Sequence, residues 1–110
     1  MTTTVKNIIP AKLLENSQTT QYTAATLNTI IDKFTATNTG AAVATISIHL
    51  VPSGGTADSS NQIIKDQMVV ANETFTALEI MGEYLPIGSF ISTICNVATV
   101  NIMASGREIS

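Results

Sequence analysis

The sequence predicts an all-β protein, an antiparallel β-sandwich or jelly roll, and three observations predict it. Apolar residues alternate with Thr and Ser at period two, most clearly from Ala42 to Val51. Gly, Pro and Asn recur at roughly ten-residue spacing between such runs, as they do between the short strands of sandwiches. Strands alternating with helical stretches, which a parallel nucleotide-binding sheet requires, are missing from the pattern.

The elements follow in order. Met1–Thr4 is a threonine tract, and Val5 to Leu14 carries the apolar residues Val5, Ile8, Ile9, Leu13 and Leu14 around Pro10. Proline can neither sit inside a helix nor donate to a sheet ladder. Residues 1–17 are therefore expected to form an extended N-terminal arm with two apolar anchors, and residues 18–110 the sandwich domain. An edge strand belonging to the domain itself is the competing reading of the same residues.

Thr29–Asn38, with Ile30, Ile31, Phe34 and Ala36, reads as a strand. It is expected to pair as an antiparallel hairpin with the next run through Asn38-Thr39-Gly40. That next run places Ala42, Ala44, Ile46, Ile48 and Leu50 on one face and Val43, Thr45, Ser47, His49 and Val51 on the other. It ends at Pro52-Ser53-Gly54-Gly55, where the proline lacks a donor and the glycines permit positive φ. Further strands are expected at Gln62–Val70, around Thr74–Leu78, at Ser89–Cys95 and at Thr99–Ser105. Ala71-Asn72-Glu73 and Leu85-Pro86-Ile87-Gly88 read as turns, and Leu78–Leu85 as a helical turn, an irregular corner or a strand.

Composition bounds the function. The 110 residues suit one domain with its own core. They are 45% hydrophobic but only 12% charged, about half the usual charged share, so the surface repels other chains weakly and favours assembly. Five scattered bases (Lys6, Lys12, Lys33, Lys65 and Arg107) against eight acids give a net charge of -3. Phosphate binding needs clustered bases, so no nucleic-acid partner is expected. Thr, Ser and Asn interrupt every apolar run well short of a membrane helix, and Met1–Lys12 lacks the pattern of a secretion signal. Synthesis in the cytoplasm, with no membrane association, is the expectation.

The chemistry-bearing residues point away from catalysis. His49, the one histidine, falls on the Thr/Ser face, where a surface or interface position is expected. No nucleophile elbow surrounds a Ser or Cys. Cys95, the one cysteine, sits among apolar neighbours and reads as a small core residue. One His and one Cys offer no metal-ligand spacing. Glu79 and Glu83 read as a solvated pair, and Asn72-Glu73-Thr74 as a turn rather than a glycan acceptor. The loop around Asp58 is Gly-rich but lacks the lysine and following helix of a phosphate loop. No catalytic residue, cofactor, metal or small-molecule substrate is expected. Sugar platforms want exposed aromatics, yet Phe34, Phe75 and Phe90 read as core, leaving Tyr22 and Tyr84.

The stretch Ile31–Thr37, the run Ile46–Gly55 (Ile-Ser-Ile-His-Leu-Val-Pro-Ser-Gly-Gly), Gly88-Ser89-Phe90-Ile91-Ser92 and Ala104-Ser105-Gly106-Arg107-Glu108 resemble small virion proteins of tailed bacteriophages. The resemblance spans about residues 29–110 and is strongest to capsid decoration, or stapling, proteins of short-tailed phages. It implies a non-enzymatic structural protein on the capsid exterior that binds the major capsid protein, with copies of itself as further partners. A neck or tail accessory protein, or a receptor- or glycan-binding sandwich, is the alternative. No site residue comes from the family. The expected contacts are the arm anchors Val5, Ile8, Ile9, Leu13 and Leu14, the loop residues Ser53, Gly54, Gly55 and Asp58, and Arg107 in an exposed tail.

Overall fold

The computed structural model describes residues 2–110. They form two antiparallel sheets packed face to face, the predicted β-sandwich. The strands are β1 (Thr3–Leu13), β2 (Thr19–Thr23), β3 (Asn28–Asn38), β4 (Ala44–Val51), β5 (Gln62–Val69), β6 (Thr74–Thr76), β7 (Tyr84–Leu85), β8 (Phe90–Cys95) and β9 (Val100–Ile109), with a 3-10 turn at Leu78–Ile80. The front sheet runs β1-β9-β3-β6, with β7 also on β3; the back sheet runs β2-β8-β4-β5. Pairing is nested: β1 with β9, β2 with β8, β3 with β6 and β7, β4 with β5.

Period-two alternation drives the sandwich. In β9, Val100, Ile102 and Ala104 are buried, whereas Asn101 and Met103 between them are exposed. Their inward side chains meet Ile8, Ile9, Ile31, Phe34 and Ala36 of the front sheet and Ala44, Ile46, Ile48, Ile64, Val69 and Ile91 of the back sheet in one core. Cys95 lies in that core, as expected. Gly106 belongs to the same inward series, and a Cβ there would stand 2.5 Å from the carbonyl oxygen of Ile30. Only glycine lets β9 approach β3 so closely.

Asn38 is the polar counterpart of this core. It is fully buried, and its amide nitrogen donates to the carbonyls of Ala42 (2.8 Å) and Val69 (2.9 Å). Its Oδ1 accepts from the Gly40 N–H (2.9 Å) and the Thr99 hydroxyl (3.0 Å). The backbone N–H donates to Glu73 and the carbonyl accepts from Asn72. One residue thus fastens the end of β3 to the following loop, β5, the turn before β6 and the approach to β9. Burial costs a polar group little when every donor and acceptor is used.

Several expectations are corrected. β3 and β4 do not form a hairpin; β3 pairs with β9, β6 and β7, and β4 with β8 and β5. Residues 39–43 cross between the sheets, so each strand presents its apolar face to the other across the core. Residues 2–17 follow the competing reading, an edge strand of the domain itself, rather than an extended arm. Thr3–Leu13 is the edge strand β1, and Ile8, Ile9 and Leu14 are buried in the chain's own core. Pro10 is accommodated because β1 pairs, among the described residues, with β9 alone and shifts register on either side of Ile9. β2 was not expected at all. Arg107 is no tail residue but lies within β9.

His49 is likewise buried rather than on the surface. β4 is flanked by β8 and β5, and its second face is covered too, leaving Ser47, His49 and Val51 shielded from solvent.

Candidate functional site

Residues paired directly across an antiparallel ladder share a face, which defines the outer surface of the front sheet. Val5 pairs with Arg107, Arg107 with Ile30, and Ile30 with Tyr84. A second row is Leu13, Asn101, Thr37 and Thr74, and a third is Met103, Thr35 and Thr76. Val5, Leu13, Met103 and Tyr84 are all exposed, Val5 at 77%. Thr37 and Thr74 join their hydroxyls at 2.9 Å. Exposed apolar side chains set among threonines on one sheet face, with only Arg107, Asn101 and Lys33 breaking the pattern, make a surface suited to burial against a partner.

Charge on these rows is largely neutralised. Asp32 lies at the register shift between Ile31 and Lys33, where it leaves the ladder and meets Arg107. The guanidinium binds it through Nε at 3.0 and 3.1 Å and Nη2 at 2.9 Å, a forked pair. Lys33, opposite Ser105, is the neighbouring unpaired charge.

Of the expected contact residues, Val5, Leu13 and Arg107 come together on this face, whereas Ile8, Ile9 and Leu14 are core. Ser53, Gly54, Gly55 and Asp58 are exposed in the loop between β4 and β5, away from the front sheet's ladder. That loop is internally tied. Gly54 takes φ +81°, the Gly55 N–H donates to the Pro52 carbonyl at 2.9 Å, and Asn61 Nδ2 donates to the Thr56 carbonyl at 2.8 Å. Asp58 accepts from both the hydroxyl and the backbone N–H of Ser60, which hold its carboxyl below the ordinary value. The sequence leaves Tyr84 exposed but does not place it, Met103 and the threonines on one face, because their proximity depends on register between distant strands.

The outer side of the back sheet gathers polar groups. Gln18 Nε2 donates to Ser92 Oγ at 2.8 Å and lies 3.4 Å from His49 Nδ1. Ser92 in turn donates to the Thr19 carbonyl at 3.2 Å. Ser47 Oγ accepts the N–H of Asp66, a residue held at φ +50°. The Ser92 hydroxyl proton points to a carbonyl rather than a base, so this geometry does not activate it as a nucleophile. Elsewhere, Leu50, Val51, Pro52, Tyr84, Leu85, Pro86 and Ser89 line a shallow, open, mainly apolar pocket of about 190 Å³.

At one end of the sandwich the sheets are bridged by polar groups. The Tyr22 hydroxyl of β2 donates to Glu108 Oε2 of β9 at 2.7 Å and shares a 2.8 Å hydrogen bond with buried Thr29; Lys6 Nζ adds a 3.4 Å ion pair to Glu108. The Tyr22 hydrogen bond and then Lys6 hold the Glu108 carboxyl below its ordinary value near 4.5. Burial, then Glu108, pushes the Tyr22 hydroxyl above its ordinary 10.0. A depressed carboxylate stabilises the fold above its unfolded pKa and loses that contribution as pH falls through the folded value. Tyr22→Phe should therefore cost about 1–2 kcal/mol at neutral pH and flatten the fall in stability below pH 4.5. Urea titrations between pH 2 and 7 check this; parallel curves for both proteins would refute the bridge.

Compared with protein families, with curated proteins and with solved structures, the chain has no match.

Proposed function

We propose that this protein is a non-enzymatic structural protein of a virion, which seats its front sheet on the outer capsid lattice and braces the joints between major capsid subunits. The observation that carries the reading is the outer face of β1, β9, β3, β6 and β7. There Val5, Leu13, Met103 and Tyr84 stand exposed among threonines, with Arg107 already neutralised by Asp32. Such a face loses little by leaving water and presents hydroxyls for a polar partner backbone. The nested strand order favours a jelly-roll winding of the sandwich, a fold that viral capsid proteins and lectins both use. The resemblance of residues 29–110 to phage decoration proteins agrees with the virion reading. Many weak, repeated contacts on a lattice hold collectively through effective concentration.

Quantitative mass spectrometry of purified virions tests the proposal. A decoration protein is present at a high copy number fixed by the lattice. A handful of copies per particle would instead mean a neck or tail component, and none would end the virion reading. Met103→Arg should weaken particle binding by about tenfold without lowering the melting temperature.

Exposed Tyr84 beside the shallow pocket favours one second reading, a glycan-binding sandwich. Glycan binding by the isolated protein that is lost in Tyr84→Ala would select it.

A further inference from the structure

β1 ends the front sheet, and among the described residues no strand pairs with its outer side. Its first half is regular: Thr3, Thr4, Val5 and Lys6 pair in unbroken register with Ile109, Glu108, Arg107 and Gly106. The second half, with Pro10 and two register shifts, is not. In an antiparallel ladder, residues alternate between those that exchange hydrogen bonds with the partner strand and those whose N–H and C=O point away from it. The Ser110 N–H donates to the Thr2 carbonyl at 2.9 Å, so Thr2, Thr4 and Lys6 are the residues turned toward β9. The backbone groups of Thr3 and Val5 therefore point outward, into the open edge.

The geometry points to a two-fold dimer in which the β1 edge of one chain pairs antiparallel with the β1 edge of a second copy. Centred on Thr4, this register sets Thr3 opposite Val5 of the partner, so the outward-facing groups on both chains exchange hydrogen bonds. No other two-fold register overlaps the whole of residues 2–6 with itself. It is also compatible in charge. Lys6 falls opposite Thr2, not opposite itself, and already has Glu108 as counter-ion. Thr3 against Val5 is a favourable β-branched pair. The interface is isologous and closes, as a two-fold contact must, and it caps a strand edge that would otherwise template open-ended association. The two front sheets become one continuous sheet, which doubles the face assigned to the capsid. The dimer rests on the edge alone and stands or falls separately from that assignment.

Sedimentation of the full chain should show mass rising with concentration from 11.6 kDa to twice that value. Val5→Pro removes an N–H that the chain's own fold does not use; it should abolish the dimer while leaving the circular dichroism spectrum unchanged. Thr4→Cys places two thiols at the axis, where facing Cα atoms lie about 4.5 Å apart, within disulfide reach. It should give a disulfide-linked dimer in air, with no background from buried Cys95. Leu13→Cys, far from the axis, should not. A wild-type chain monomeric at every concentration, a folded Val5→Pro dimer, or a Thr4→Cys protein that does not cross-link would each overturn the proposal. Should Val5→Pro fail to fold, the cross-link decides.

Discussion

Deleting residues 1–14 should unfold the protein. β1 contributes Ile8 and Ile9 to the core, and Leu14 follows them into it. Burying each such side chain is worth about 1.5–3 kcal/mol, so together they approach the total stability of about 5–15 kcal/mol expected of a domain. β9 also loses its outer partner along most of its length and becomes a newly exposed edge of the front sheet. Circular dichroism of the truncated chain should show loss of the sheet signal and of a cooperative melt. A truncated protein that melts cooperatively like the intact one would show that β1 is an accessory arm after all. Removing residues 1–3 alone should leave the melt nearly unchanged, because Thr2 and Thr3 are exposed and bury no side chain in the core.

Ile48→Asp is the second change that should abolish the fold. Ile48 is fully buried in β4 between Ile64 of β5 and Thr93 of β8. Losing the aliphatic side chain costs about 2–5 kcal/mol, and a buried carboxyl without a partner adds a penalty of similar size. The sum exceeds what a marginally stable domain tolerates. Ile48→Val, which keeps shape and polarity, should cost only about 1 kcal/mol. Urea denaturation of the two variants separates burial of charge from loss of volume; equal midpoints would refute the argument.

How far the fold was legible depends on what each signal encodes. Alternation in Ala42–Val51 located a strand and its inward residues, because a sheet turns period two directly into two faces; the last strand was expected only over Thr99–Ser105 and runs on through Arg107 to Ile109. Alternation could not reveal that both faces of β4 are shielded, which is why His49 looked like a surface residue. The five residues 39–43 suit a hairpin or a crossing between sheets equally well, and the nested pairing decided for crossing. Pro10 argued against a strand only on the assumption of two ladder partners; among the described residues, β1 has one. β2, Thr-Thr-Gln-Tyr-Thr, lacks an aliphatic alternation and left no trace, although Tyr22 proves to hold the two sheets together. Val5, Leu13 and Arg107 were legible as contact candidates from polarity and position. Their association with Met103 and Tyr84 was not, since it arises from register between segments far apart in the chain.

The nested strand order governs how the protein is made. β1 emerges from the ribosome first but finds its hydrogen-bonding partner only in β9, the last strand of the chain. Until then Ile8, Ile9 and Leu14 have no finished core to enter, and the front sheet lacks the strand that joins its two halves. Such long-range closure is slow and leaves sticky intermediates exposed meanwhile. Cellular yield should therefore respond more strongly to expression temperature and chaperone supply than the equilibrium stability of the finished sandwich would suggest.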